Sequence, residues 1–169
     1  MIIVDAGSFV DYWRGVRHRT RRLLPLVPAE KLEWTPATGR WTVGDQFRHL
    51  ALIERWMYAE NVAGRPSRYS GHGRELAEGL DSVAGLLDRL HEESCQIFSA
   101  LTPAELNGKA VTPAGTPITT HKWLRAMVEH EAHHRGQIYL LLGLLGVKSP
   151  PIFGLTEEEV ATRSMSPSR

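Results

Sequence analysis

The side chains best suited to chemistry are gathered in one run, His130-Glu131-Ala132-His133-His134-Arg135-Gly136-Gln137. A helix advances about 100° per residue, so His130 and His134 fall within about 40° of each other. Both lie on the stripe of Met127, Ile138 and Leu141, the apolar face of that segment. Two imidazoles one turn apart on one face can share an ion, which is the physical sense of the HxxxH spacing. His133 lies about 60° to the other side and could also pair with His130. The apolar stripe favours His134 as the inward member.

A third ligand must come from another segment, and His49 is the strongest candidate. It shares a stripe with Asp45, Leu52, Ile53 and Trp56. His18 sits in the basic run Arg17 to Arg22, His72 in a glycine-rich loop, His91 beside Glu92 and Glu93, and His121 on the opposite face of the last long helix. Burying three imidazoles without a shared partner is costly, and a metal removes that cost. Three neutral histidines leave coordination positions open, as catalytic rather than structural zinc sites do. Such an ion would lower the pKa of a bound water or thiol. The competing reading is a set of incidental histidines in a plain helical interaction module.

The elements that must position these residues read as helices. Phe9, Trp13, Val16, Leu23, Leu24 and Val27 recur at three or four residues, and Pro25 and Pro28 close the segment. A second helix starts at Thr42-Val43-Gly44-Asp45, with Thr42 as N-cap, and stops near Gly64-Arg65-Pro66. Residues 65–79 are a loop. Asp81-Ser82 caps a third helix with the stripe Val83, Leu86, Leu87, Leu90, Ile97, Phe98 and Leu101, and Thr102-Pro103-Ala104-Glu105 forms one short turn. Residues 108–119 carry two prolines and two glycines and suggest a small irregular hairpin. The fourth helix runs from Thr119 or Thr120 to about Gly143 or Gly146. A short helix from Thr156 follows, through the capping-box pair Thr156 and Glu159. The expected domain covers residues 1–163, with a disordered tail at 164–169. Four long helices with little strand signal imply an all-α four-helix bundle.

With 169 residues, 42% apolar and 23% charged, the chain has a normal globular balance. A net charge of +1 provides no global field for nucleic acid or anionic membrane. Cys95 is the only cysteine, so no internal disulfide forms. No signal peptide or membrane span is read, and the expectation is a soluble cytoplasmic protein.

Two segments, Trp41-Thr42-Val43-Gly44-Asp45-Gln46-Phe47-Arg48-His49-Leu50 and His130 to Ile138, in this order and separation, resemble the DinB superfamily of four-helix metal-binding proteins. The resemblance spans roughly residues 8–147. It implies His49, His130 and His134 as metal ligands, zinc or nickel as the ion, an up-down-down-up bundle and often a homodimer. Some relatives are S-transferases or isomerases that use a low-molecular-weight thiol as co-substrate, and others have no assigned activity. The expected function is therefore a divalent-metal-dependent transferase or hydrolase acting on a small electrophile. The alternative is a non-catalytic metal-binding or stress-response protein of the same fold.

Other residues carry milder expectations. Asp45 serves the helix dipole before it serves a metal. Gln137 either orients a ligand or sits at the bundle rim. Arg135 anchors a carboxylate, and Gly136 permits close packing. Cys95 is a small buried hydrophobe. Trp56, Tyr58 and Tyr69 are core residues or line a pocket mouth. The arginine run from Arg14 to Arg22 is a solvated face.

Overall fold

The computed structural model describes Ile3 and residues 5–165. Four long helices carry the fold. The first, α1 (Ala6–Arg21), is capped by the Asp5 carboxylate, which accepts from the amides of Gly7 and Ser8. The second, α2 (Val43–Ile53), opens with a capping box. Thr42 accepts from the Asp45 amide, and the Asp45 carboxylate accepts from the Thr42 amide. It continues as a π-helical stretch, Glu54–Ala59, and a last turn, Glu60–Val62. α3 is Leu80–Ser99, α4 the short Pro103–Asn107, α5 Thr120–Leu144 and α6 Glu157–Met165.

Two boundaries differ from expectation. Gly79 at φ 81°, not Asp81-Ser82, precedes α3, so Asp81 lies inside the first turn. Only a glycine accepts that left-handed backbone without strain. The last six residues were expected to be disordered. Ser164 and Met165 close α6, and 166–169 lie outside the described residues.

The expected hairpin is present: β1 (Lys109–Val111) pairs antiparallel with β2 (Pro117–Thr119), with Ala110 opposite Ile118. α6 also forms as expected, with Thr156 and Glu159 exchanging backbone–side-chain bonds.

Side-chain pairs fix the helix directions. Phe9 meets Phe98, Arg14 meets Glu92 and Arg21 meets Asp88, so α1 and α3 run antiparallel. Glu54 meets His91 and Arg55 meets Glu93, two residues on the same way, so α2 and α3 run parallel. Gln46 meets His134 and Tyr58 meets Trp123, so α2 and α5 run antiparallel. No helix among the described residues is long and apolar enough to cross a membrane.

The apolar core is divided. One cluster gathers Leu23, Phe47, Leu50, Leu87, Leu90, Ile138 and Leu142. The other gathers Phe9, Trp13, Tyr58, Phe98, Leu124 and Met127. Between them every long helix contributes buried polar groups: Arg17 and Thr20 from α1, Glu54 from α2, Ser94 from α3, and Glu131 and His134 from α5. Fully burying each large apolar side chain contributes about 1.5–3 kcal/mol, and these two clusters offset the cost of the polar layer between them.

That layer corrects the reading of Arg17 as part of a solvated face. Its guanidinium pairs with Glu54 and, at 3.2 Å, with Glu131, both 1% exposed. Glu54 also accepts from Trp13 Nε1 at 2.7 Å and from His91 Nδ1 at 2.9 Å. Burial pushes the Glu54 carboxyl up, but Arg17 and the His91 and Trp13 donors together hold it below the usual carboxylate range. For Glu131 burial prevails, and its carboxyl is raised despite Arg17. The other arginines of the run are also engaged. Arg14 and Arg21 form the ion pairs above, and Arg22 donates to the carbonyls of Pro151 and Ile152.

Candidate metal centre

On one side of the polar layer, at the α2–α5 contact, three imidazoles converge. His49 Nε2 and His130 Nε2 lie 3.1 Å apart, and His134 Nε2 lies 3.1 Å from the same His130 nitrogen. His49 and His134 are buried, and His130 is half-buried. Two nitrogens bound to one zinc at about 2.0–2.1 Å, at 90–110°, stand about 3.0–3.4 Å apart. The spacing fits a shared ion, and the three residues form a group that could hold one.

The protonation states fit as well. Burial first, then the neighbouring His134 and His130, pushes His49 down to about 2. Burial, helped by His133, pushes His130 to about 4, and burial with His130 and His133 pushes His134 to about 4. All three are neutral at pH 7, the form that ligates metal. Neutral imidazoles with facing lone pairs are poorly satisfied by one another, which a shared cation remedies.

The outer nitrogens are held by groups that aim the inner ones. His134 Nδ1 lies 2.7 Å from Gln46 Oε1, an oxygen that only accepts, so Nδ1 carries the proton and Nε2 the lone pair. His49 Nδ1 lies 2.6 Å from the Tyr69 hydroxyl, which lies 3.2 Å from His72 Nδ1. With His49 donating through Nδ1, the Tyr69 hydroxyl donates in turn to His72 Nδ1, and His49 Nε2 is free. Trp41 stacks on His134 at 5.5 Å with 8° between planes, and lies 3.9 Å from the His72 ring.

The π-helical stretch reaches this site through the loop. The Trp56 carbonyl accepts from the Arg68 amide at 2.7 Å and from the Ser67 hydroxyl at 3.3 Å. That anchors the segment just before Tyr69. Trp56 itself is clasped between the guanidiniums of Arg55 and Arg68, 4.2 and 4.4 Å from its ring, while Tyr58 is core.

The structure therefore brings together the three histidines singled out in the sequence and leaves His133 outside. His133 is exposed and paired with Gln137 at 2.7 Å. Gln46 and Trp41 were missed as site residues, while Tyr69, read as core or pocket mouth, and His72, set aside as a loop residue, both stand behind His49. Gln46 is three residues before His49, one helical turn, and that spacing was the available signal. Asp45 serves the capping box and Arg48, as expected from its first-turn position. Two milder expectations fail. Arg135 donates to the Val16 carbonyl at 3.3 Å instead of anchoring a carboxylate. Gly136 is exposed with open space at its Cβ position, so close packing does not explain it. Cys95 is buried, and burial pushes its thiol up to about 12.

The sequence profile of the DinB superfamily matches residues 12–138. The chain belongs to the DinB superfamily. Solved DinB-like proteins share the fold. One from Bacillus cereus is 20% identical with a TM-score of 0.71, covering 85% of this chain and 94% of its own. One from Bacillus subtilis is 16% identical with a TM-score of 0.68, covering 88% and 99%. No match is found among curated proteins. In this chain the histidines come from the two antiparallel helices α2 and α5, and the groups behind them come from α2 itself (Gln46) and from the α1–α2 (Trp41) and α2–α3 (Tyr69, His72) connections.

Two outcomes follow. Gln46→Leu removes the acceptor that fixes the His134 tautomer and should weaken zinc binding about 10–100-fold, read by chelator competition. Unchanged affinity would mean that packing alone orients His134. The second concerns pH. The three folded-state pKa values lie below the ordinary 6.5, so the unfolded chain binds more protons below about 6.5. The thermal midpoint of metal-free protein should hold above about 6.5 and fall as pH drops toward 4. A flat midpoint across that window would show that the imidazoles are not buried as neutral groups.

Proposed function

We propose that this protein is a divalent-metal-dependent enzyme, with His49, His130 and His134 as ligands to zinc or nickel, acting on a small electrophile. The observation that carries the reading is the convergence of three neutral Nε2 atoms with no carboxylate or thiol among the described residues to complete the set. When bound, the ion would supply Lewis acidity and lower the pKa of a coordinated water or low-molecular-weight thiol. The chain's part is orientation and shelter. Gln46 and Tyr69 fix the two buried imidazoles, and Trp41 covers His134. The helix directions given above support an up-down-down-up four-helix bundle as the frame. Leu144 and Phe153, 58% and 82% exposed, support a homodimer as its assembly.

Activity is tested with metal-stripped protein and protein reloaded with zinc or nickel. One panel pairs thiols with a chromogenic aryl halide, and the other uses nitrophenyl esters. Turnover should require the ion and vanish in His130→Ala. Full occupancy without turnover in either panel would replace this reading with a non-catalytic metal-binding protein.

A further inference from the structure

Beside the histidines lies a cavity of about 530 Å³. That volume is in the range of small-molecule sites. His134, Gln46 and Trp41 form its inner wall, Leu140 and Leu141 an apolar wall, and Arg40 a basic one. Leu140 is 63% exposed and presents its side chain to that cavity. Arg40 and Arg163 stand apart from the other described arginines, and Arg163 lies on the exposed helix α6. The other arginines from Arg14 to Arg135 each engage a carboxylate, a carbonyl or an aromatic ring. Among the described residues the Arg40 guanidinium has no hydrogen bond or ion pair; only its backbone is engaged, with Ala37 and Thr35. The chain thus places an uncommitted fork of donors at the rim of a half-apolar cavity, one residue before the indole stacked on His134.

We infer that this cavity binds a small amphipathic carboxylate, its headgroup on Arg40 and its apolar body along Leu140 and Leu141. The inference rests on the proposed metal site only in naming where the substrate sits. A guanidinium grips a carboxylate through two parallel hydrogen bonds, and a neutral isostere offers no such charge-assisted pair. The apolar wall then selects for a body of several carbons, and the inner wall brings that molecule against His134.

The test compares octanoate with octanamide, equal in length and differing in charge, by calorimetric titration of the native protein. Octanoate should bind about two- to fivefold tighter, as expected for a charge-assisted pair with an exposed guanidinium. Arg40→Gln should erase the preference and keep weak octanamide binding. Because Arg40 is exposed and unpaired, the fold tolerates this change. His130→Ala, assayed for metal content, separates the two ideas. If the acid preference survives there and disappears in Arg40→Gln, the headgroup is on Arg40 whatever the metal does. Equal affinity for acid and amide, no binding of either, or a preference lost in His130→Ala but kept in Arg40→Gln would overturn the inference.

Discussion

Purified without a metal-affinity tag, the wild-type chain should carry about one divalent ion, and His130→Ala almost none. His130 is the decisive position because its Nε2 is 3.1 Å from both of the other ligand nitrogens. Without it, His49 and His134 remain as two donors on facing helices, too few for a tight site. Losing a group behind a ligand costs about 10–100-fold in affinity, so losing the ligand should cost more than about 100-fold. The measurement is metal content by mass spectrometry, with chelator competition for affinity. His130 is half-buried and makes no ion pair, so the metal-free variant should melt close to metal-free wild type. Wild type that stays empty after zinc or nickel is added would sink the site, as would a fully loaded variant.

Arg17→Met should be the most destabilising single change outside the apolar clusters. It leaves two carboxylates, Glu54 and Glu131, buried without their cation. Removing one partner of a buried pair typically costs about 3–5 kcal/mol. For a chain of this size each kcal/mol moves the thermal midpoint by about 2–4 °C, so a drop of roughly 6–20 °C is expected by calorimetry. Adding Glu54→Gln and Glu131→Gln to Arg17→Met should recover part of the loss, since the uncompensated charge is then gone. A single variant that melts within a degree of wild type would show that water or rearrangement satisfies those carboxylates.

The difference between these two regions is also the difference between what the sequence discloses and what it conceals. His130 and His134 stand one turn apart on a visible apolar stripe, so both the helix and its chemical face were readable. His49 was readable for a similar reason, as a polar residue on an inward stripe. The paired charges were not. Arg17 lies among five arginines and Glu54 lies 37 positions away, so each looks like ordinary surface charge until the helices bring them together. Tyr69 and His72 were hidden differently, since a glycine-rich loop gives no periodicity from which to infer direction. The winding of α2 left no mark either: the apolar spacing around Trp56 and Met57 suits an ordinary helix as well as a wider one.

That wider winding has a consequence for how the chain can change. A π-helical stretch holds one residue more than an α-helix would over the same turn. Deleting one residue from Glu54–Ala59 would let the segment close as plain α-helix with the downstream faces nearly in place, because the wider turn spends one more residue on the same rotation. The carbonyl that tethers Arg68 would be drawn back into the helix, and Tyr69 would lose its approach to His49. The extra residue lets a carbonyl of one continuous rod hold the loop that carries Tyr69. Length in this short stretch should therefore tolerate less variation among descendants of this chain than its amino-acid identities do.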